Sequence, residues 1–487
     1  MKFKRLLSRF LVPVLASALM IPLLLPVSTK ADSMPDAASE VAAINVGWNL
    51  GNTLDSYGTW LTNVTPEAVE TCWNNPLTTK AMIESVKNQG FNAIRIPVTW
   101  AQFTDSEGNV DESWMARVKE VVDYAYDLDM YVILNVHHDT GEHGSDKVCW
   151  LVASTDSYEQ GKDRFTGLWT SIANEFKDYD YHLMFEGYNE LLDVNNSWNA
   201  PTAGDDAYDA VNKYAQLFVD TVRATGGNNA ERNLIVNTYV CSADQQVLDH
   251  FVLPEDSATN HLICEVHCYT PWFFSTASDM SNVVFDDSVK AELDSLMERL
   301  ESFSRRVGTP VIIGEFGPEY KCNETDREEY AAYYISKAAE HGIKCFWWDN
   351  GDYKDGSEAG GYALLSRTSL TWREGITNAL TDNAVSSGSP DTVSDTQETE
   401  APEEAEVTEA SEPATQETEI TETSSEQQET TQALQESEQT LKNDFEESQS
   451  AGNEKSVKVP LIIAAVAVVV VVYVLLFLLG RKKGKSA

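Results

Sequence analysis

The chain has 487 residues, with 35 Lys and Arg against 77 Asp and Glu and a formal net charge of −42 at pH 7. A surface so acidic repels a phosphate backbone and argues against nucleic acid as a partner. Length alone admits about three domains or one α/β barrel with long loops. The 12 Trp and 19 Tyr are a generous supply of rings for an acidic protein and suit a neutral, flat-faced ligand.

At the N-terminus, Lys2, Lys4, Arg5 and Arg9 precede an apolar stretch from Phe10 to Val27, and Thr29-Lys30-Ala31 offers small residues at a cleavage site. Residues 1–31 therefore read as a secretory signal peptide and are set aside from the fold. From Asp36 to Asp382 apolar runs recur regularly, as expected of one large domain. Strand-like runs fall at Ile44–Leu50, Ala93–Val98, Tyr131–Val136, Leu183–Tyr188, Leu234–Thr238, Leu262–His267, Pro310–Gly314 and Lys344–Trp348, with helical stretches such as Ser113–Asp127 and Tyr208–Thr225 between them. Alternation of this kind predicts an α/β fold, an eightfold parallel TIM barrel. An open doubly wound sheet is the alternative, but Gly47-Trp48-Asn49-Leu50-Gly51-Asn52 carries bulky residues where a phosphate loop needs bare backbone.

The seven cysteines cannot all pair. Cys264 and Cys268 flank Glu265-Val266-His267, yet these side chains lie along one strand rather than converging from separate elements, so buried thiols are expected there and no metal.

Residues 384–457 are dominated by Thr, Ser, Glu, Gln and Pro, with Lys442 and Lys455 as the only cations and Phe445 as the only aromatic. Such a segment cannot offset chain entropy by burial, and a disordered, acidic, extended stalk is expected. Leu461 to Leu479 is uninterrupted apolar sequence followed by Arg481, Lys482, Lys483 and Lys485. That pattern predicts a single transmembrane helix (461–479) with a basic cytoplasmic tail (481–487), everything before it being outside.

In such barrels chemistry lies where strands end. The polar residues there are Asn52, Arg95, His137, His138, Asn189, Glu190, His267, Tyr269, Glu315, Trp348 and Asp349. Two glutamates half a barrel apart cleave a glycosidic bond if one donates a proton to the leaving oxygen and the other attacks the anomeric carbon. A dicarboxylate metal site is the competing reading. Arg95 opposes it, because a guanidinium lowers a carboxylate pKa and suppresses cation binding. Trp348 offers a flat face to a sugar ring, and strand alternation turns its neighbour Trp347 into the core.

The segments Phe91-Asn92-Ala93-Ile94-Arg95-Ile96-Pro97-Val98, Asn135-Val136-His137-His138-Asp139, Phe185-Glu186-Gly187-Tyr188-Asn189-Glu190, His267-Cys268-Tyr269 and Ile313-Gly314-Glu315-Phe316-Gly317 resemble, in order, the strand-end motifs of glycoside hydrolase family 5. The resemblance spans about Ile44 to Leu380. It implies a (β/α)8 barrel that hydrolyses with net retention, Glu190 being the acid/base and Glu315 the nucleophile. Arg95, His137, Asn189, His267, Tyr269 and Trp348 match the surrounding substrate-binding residues, and His138 is similar to a second His of some members. Leu191-Leu192-Asp193 stands where members commonly have Pro, and Cys268 where an aromatic is frequent, both in loops expected to shape the cleft. The segments Gly47–Asp55 and Phe346–Arg367 look most like the β-1,4-glucanase and xyloglucanase branches. An endoglucanase on cellulose-like chains is therefore expected. Xyloglucanase, mixed-linkage glucanase, β-mannanase and β-1,3-glucan hydrolase are alternatives on the same scaffold, and a non-catalytic carbohydrate-binding surface protein is a rival from another class.

On this reading Glu315 is ionised, held by Arg95 and the Tyr269 hydroxyl, while Glu190 starts protonated. Asn189 holds the sugar 2-hydroxyl, the histidines are hydrogen-bonding supports, and Glu186 is a buried partner for Arg95. No cofactor is needed. Trp348 is the floor of the subsite on the non-reducing side, and about half of Trp60, Trp100, Trp150, Trp198 and Trp272 should line the cleft. A monomer is expected, and the ends of the chain predict a hydrolase tethered to the membrane through the stalk, its polysaccharide substrate outside the cell.

Overall fold

The computed structural model describes residues 34–201, 206–276 and 283–384. The expected signal peptide, the stalk beyond Ala384, the transmembrane segment and the basic tail lie outside them. Among the described residues no helix is long and apolar enough to cross a membrane.

Eight strands form in the expected order: β1 (Gly47–Asn49), β2 (Ala93–Ile96), β3 (Tyr131–Asn135), β4 (Leu183–Glu186), β5 (Leu234–Asn237), β6 (Leu262–His267), β7 (Val311–Phe316) and β8 (Lys344–Trp347). Each pairs in parallel with its neighbour in sequence, and β8 returns to β1, so the sheet closes and the doubly wound alternative falls. The strands are rich in Val, Ile and Leu because both faces are covered, the outer one by helices. The connecting helices include Glu112–Tyr126, Thr155–Glu175, Asp206–Ala224, Asp287–Val307 and Glu324–Glu340. Helix Asp287–Val307 shows the local logic. Asp286 accepts from the Ser288 and Val289 amides, Val289, Leu293, Leu296, Met297, Leu300 and Phe303 form its buried stripe, and Gly308 stops it at φ 75°.

Period-two alternation sorts the barrel interior into layers. Ala93, Ile133, Met184, Ile235, Ile263, Ile312 and Phe346 make an apolar floor, closed from below by Ala37, Val41 and Ile44 of and beside helix Ala37–Ala43. Two residues further along each strand the register positions are Asn49, Arg95, Asn135, Glu186, Asn237, Glu265, Gly314 and Trp348. Trp347, one residue out of phase, is buried in the outer core with its ring edge-on to Phe316.

Alternation alone would turn Glu315 away from the axis, since Gly314 is in phase with the floor. The register between β6 and β7 shifts there: Val266 pairs with Ile313, but His267 pairs with Glu315. This bulge re-aims the carboxylate. Gly314 is the residue skipped, and it must be bare, because a Cβ on it would lie 1.7 Å from Glu265 Oε1.

A short hairpin, Leu365–Ser366 with Thr371–Trp372, was not apparent from the sequence. Its Trp372 stacks on Phe91 and meets Trp48 edge-on. Asp349 anchors this closure rather than facing a ligand: it accepts from Trp48 Nε1, Arg367 and the Leu364 and Leu365 amides.

Candidate active site

Arg95 is fully buried, and all five of its N–H groups are engaged. Nε and one Nη2 proton clamp Glu186 at 2.6 and 2.8 Å, the other Nη2 proton goes to Asn189 Oδ1 (2.8 Å), and Nη1 donates to Asn49 Oδ1 (3.1 Å) and Glu315 Oε1 (2.8 Å). The expected pairing of Glu186 with Arg95 is present. The carbonyl oxygen of Asn189 faces Arg95.

Glu315 accepts a second hydrogen bond, from the Tyr269 hydroxyl at 2.9 Å, and His267 Nδ1 lies 3.6 Å away. Burial pushes its carboxyl above the ordinary carboxylate range, while His267 and Arg95 pull it back. Arg95 acts in the expected direction, lowering this carboxyl, but the guanidinium is shared among several acceptors and desolvation outweighs its portion.

Glu190, partly exposed after β4, is held through Oε1 by His267 Nδ1 at 2.8 Å. An oxygen of Glu190 and an oxygen of Glu315 lie within 4.8 Å of each other and of a His267 nitrogen. The imidazole is buried, which disfavours its charge, but Cys241, Glu315 and Glu190 beside it raise it well above its ordinary value. In its protonated form the ring donates from Nδ1 to Glu190 and from Nε2 toward Glu265 (3.3 Å).

His137 is buried and held well below its ordinary pKa, by burial first and then by the charges of His138, Arg95 and His267. Its Nδ1 meets the Asn135 amide at 3.1 Å, which assigns the ring proton of the neutral form to Nε2. Trp348 lies parallel to this ring, with centroids 5.8 Å apart. His138 belongs to a cluster with Tyr57 and Trp73, its centroid 5.6 and 5.4 Å from theirs, and its Nε2 is 3.7 Å from Asp55 Oδ2. Tyr57, His138, Lys147, Asn189, Glu190 and Trp198 line a cavity of about 140 Å³.

The nine residues singled out from sequence thus meet at one end of the barrel. Of the five tryptophans, Trp198 lines the cavity with Glu190, and Trp60 and Trp272 are exposed. Trp100 is instead buried, donating to the Asn135 carbonyl, and Trp150 stacks under Arg164 and donates to Asp139, so both brace the loop after β3. Leu191, Leu192 and Cys268, in the loops expected to shape the cleft, turn their side chains into the core. Asp193 does shape it indirectly, since its carboxylate accepts from the Asn195 and Ser197 amides just before Trp198. Asn49, Asn135, Asn237 and Glu265 were not anticipated as site supports. Counting back two residues from His137 and His267 finds Asn135 and Glu265, since neighbours on one strand face share a period of two. All seven cysteines are free, and Cys264 in β6 and Cys268 just after it are buried as expected.

A family model described as Cellulase (glycosyl hydrolase family 5) matches residues 54–354. Endoglucanase A of Clostridium longisporum is 40% identical over 352 residues, covering 71% of this chain and 65% of that protein, so the chain spans just under two thirds of its length. Endoglucanase A of Ruminococcus albus is 38% identical over 353 residues, 71% of this chain and 92% of that protein. Among solved structures, a broad specificity endoglucanase from Ruminococcus champanellensis with bound cellotriose aligns with TM-score 0.66 at 40% identity, covering 71% of this chain and 98% of that one. A family 5 enzyme from Prevotella bryantii in complex with a xyloglucan tetradecasaccharide aligns with TM-score 0.64 at 40% identity, covering 72% and 99%.

Proposed function

The chain belongs to glycosyl hydrolase family 5, and from that membership and the geometry of the site we propose that it is a retaining endo-β-1,4-glucanase working by double displacement. The observation that carries this reading is the approach of Glu190 and Glu315 oxygens to within 4.8 Å. A gap that short suits a nucleophile and an acid/base acting directly, whereas an inverting pair stands roughly 6.5–9.5 Å apart to admit water between them.

Glu315, buried and oriented by Arg95 and Tyr269, attacks the anomeric carbon as Glu190 protonates the departing oxygen. The glycosidic bond breaks and a glycosyl ester forms on Glu315. Glu190, now ionised, takes a proton from the water that attacks this ester, and the sugar leaves with its original configuration. The Asn189 amide NH2 is placed for the 2-hydroxyl, and Trp348 for the apolar face of the ring on the non-reducing side. A β-1,4-glucan backbone is the substrate supported by the relatives' names and by the cellotriose bound to one of them. Xyloglucan is the second reading, favoured by the xyloglucan complex of a relative at 40% identity. Initial rates on carboxymethylcellulose, xyloglucan, mixed-linkage glucan, β-mannan and xylan test the reading. Turnover of the first two above the rest supports it, and turnover of mannan or xylan alone overturns it.

The chain's ends support a place of work. An apolar, basic-headed leader, an acidic Thr- and Glu-rich segment and a terminal apolar run followed by cations describe an exported hydrolase tethered outside the membrane. Fractionation of cells and medium is the test: activity chiefly in the medium, on a chain ending before Leu461, would overturn the tether.

A further inference from the structure

We propose that Glu265 is a positioning residue for the acid/base, acting through His267 to keep the imidazole a donor to Glu190. The inference rests on the proposed function and extends it one residue deeper into the barrel. Glu265 lies on β6 two residues before His267, its side chain fully buried, with Oε1 3.3 Å from His267 Nε2 and 3.3 Å from Arg95 Nε. Because the five Arg95 protons all go to Glu186, Asn189, Asn49 and Glu315, the guanidinium has none for Glu265. Among the described residues Glu265 Oε2 has no hydrogen-bond partner. A carboxyl so poorly satisfied at this depth is costly, and the site makes room for it at the expense of a side chain on Gly314.

The geometry gives it work. With Glu265 accepting at Nε2 and Glu190 at Nδ1, the ring is gripped from both sides and carries a proton on each nitrogen. Nδ1–H then fixes Glu190 Oε1, leaving the other oxygen to face the glycosidic bond. Without a carboxylate behind it the imidazole is more readily neutral. A neutral ring protonated only on Nε2 presents Nδ1 as an acceptor, which draws the Glu190 proton away from the leaving group. The titratable groups around Glu265 and His267 are Arg95 from β2, His137 after β3, Glu186 from β4, Glu190 after it, Cys268 after β6, Glu315 from β7 and Cys241. Cys241 follows Val240 in a turn where both take positive φ, 46° and 54°, a conformation unfavourable for a β-branched residue. Its sulfur accepts from the Asn237 amide at 3.2 Å. Burial, and then the charge of Glu186, push the Glu265 carboxyl up to about 7, so its ionisation falls where an acid catalyst is ordinarily being lost.

The test is Glu265→Gln, which fills the same space but cannot ionise. Hydrolysis of cello-oligosaccharides needs the general acid, whereas attack on 2,4-dinitrophenyl cellobioside does not. At pH 8 the variant should be about tenfold slower on cello-oligosaccharides and within about twofold of the parent on the aryl glycoside. The deficit should shrink below pH 7, where the parent's carboxyl is itself protonated, so the alkaline limb of kcat/KM moves to lower pH. A structural defect would depress both substrates at every pH, and equal losses, or no pH-dependent loss, overturn the proposal. Labelling of Glu315 by a 2-deoxy-2-fluoro aryl cellobioside establishes that the variant is folded. If it does not label, Glu265→Asp, which keeps the acid but draws it back from the imidazole, should show the same split between substrates, and a proportionate loss on both overturns the idea. Parental turnover of cello-oligosaccharides is the control: its absence counts against the proposed function, and its presence without a split counts against Glu265 alone.

Discussion

Arg95 and Glu186 form a two-pronged ion pair, with contacts of 2.6 and 2.8 Å, at the centre of a barrel layer from which both side chains are wholly excluded from solvent. That pair is the frame on which Asn189 and Glu315 are hung. Arg95→Met keeps apolar bulk but strands Glu186, Glu265 and Glu315 without their cation. Removing one partner of a buried pair costs roughly 3–5 kcal/mol, and a loss of that size is expected in denaturant titration at pH 8. A loss below about 1 kcal/mol would mean that the layer does not depend on its guanidinium.

The proposed mechanism divides labour between the two carboxylates. Glu315→Gln removes the attacking group and should abolish turnover on every substrate. Glu190→Gln should retain the first step on 2,4-dinitrophenyl cellobioside, whose leaving group needs no proton, while losing about 10²–10⁴-fold on cello-oligosaccharides. Added azide should then accelerate the Glu190 variant by capturing the glycosyl ester. Stopped-flow release of dinitrophenolate measures the first step directly, and a Glu190→Gln enzyme silent in that step would reverse the assignment.

Trp198 is half-exposed on the cavity wall beside Glu190, its Nε1 donating to Glu142 Oε1 at 3.3 Å. With Glu190 as the proposed acid/base, its place beside that residue assigns it to the leaving-group side of the cleft. Trp198→Ala should lower kcat/KM on long cello-oligosaccharides by roughly 2- to 10-fold, the scale of one aromatic contact, mainly through KM. Trp100→Ala, in contrast, deletes a buried ring and should cost roughly 3–5 kcal/mol of stability.

Beneath the barrel, Glu40 accepts from Asn233 Nδ2, and burial pushes its carboxyl up to about 8 from 4.5. A raised folded-state pKa stabilises the protein below the unfolded value, and this contribution is lost as pH rises from about 4.5 through about 8. Glu40→Gln does not titrate. Relative to the parent, the variant should therefore gain stability, on the order of a few kcal/mol, between pH 5 and pH 9. Denaturant midpoints at the two pH values check this, and a relative loss at pH 9 would contradict it.

Much of this site was legible because its residues sit at strand ends, where a motif such as Asn189-Glu190 carries both its position and its chemistry. The eight strand runs were equally visible, since buried parallel strands need unbroken Val, Ile and Leu. Trp100 and Trp150 misled because position in a loop says nothing of which way a ring turns. Both indoles point back to satisfy Asn135 and Asp139. Glu315 reaches the axis only through the bulge at Gly314, and no local pattern announces a register shift between two strands. Glu265 was hidden differently: on sequence it read as the filling of a cysteine pair, and its contact with Arg95 exists only once β2 and β6 share a barrel.

If Glu190 and Glu315 act as a retaining pair on β-1,4-glucan, the configuration of the first product reveals it. Proton NMR of cellopentaose digestion, followed from the first minutes at high enzyme concentration, resolves the new reducing end before mutarotation. The β-anomer is expected first, relaxing afterwards to the equilibrium mixture. Initial appearance of the α-anomer would show inversion and contradict it.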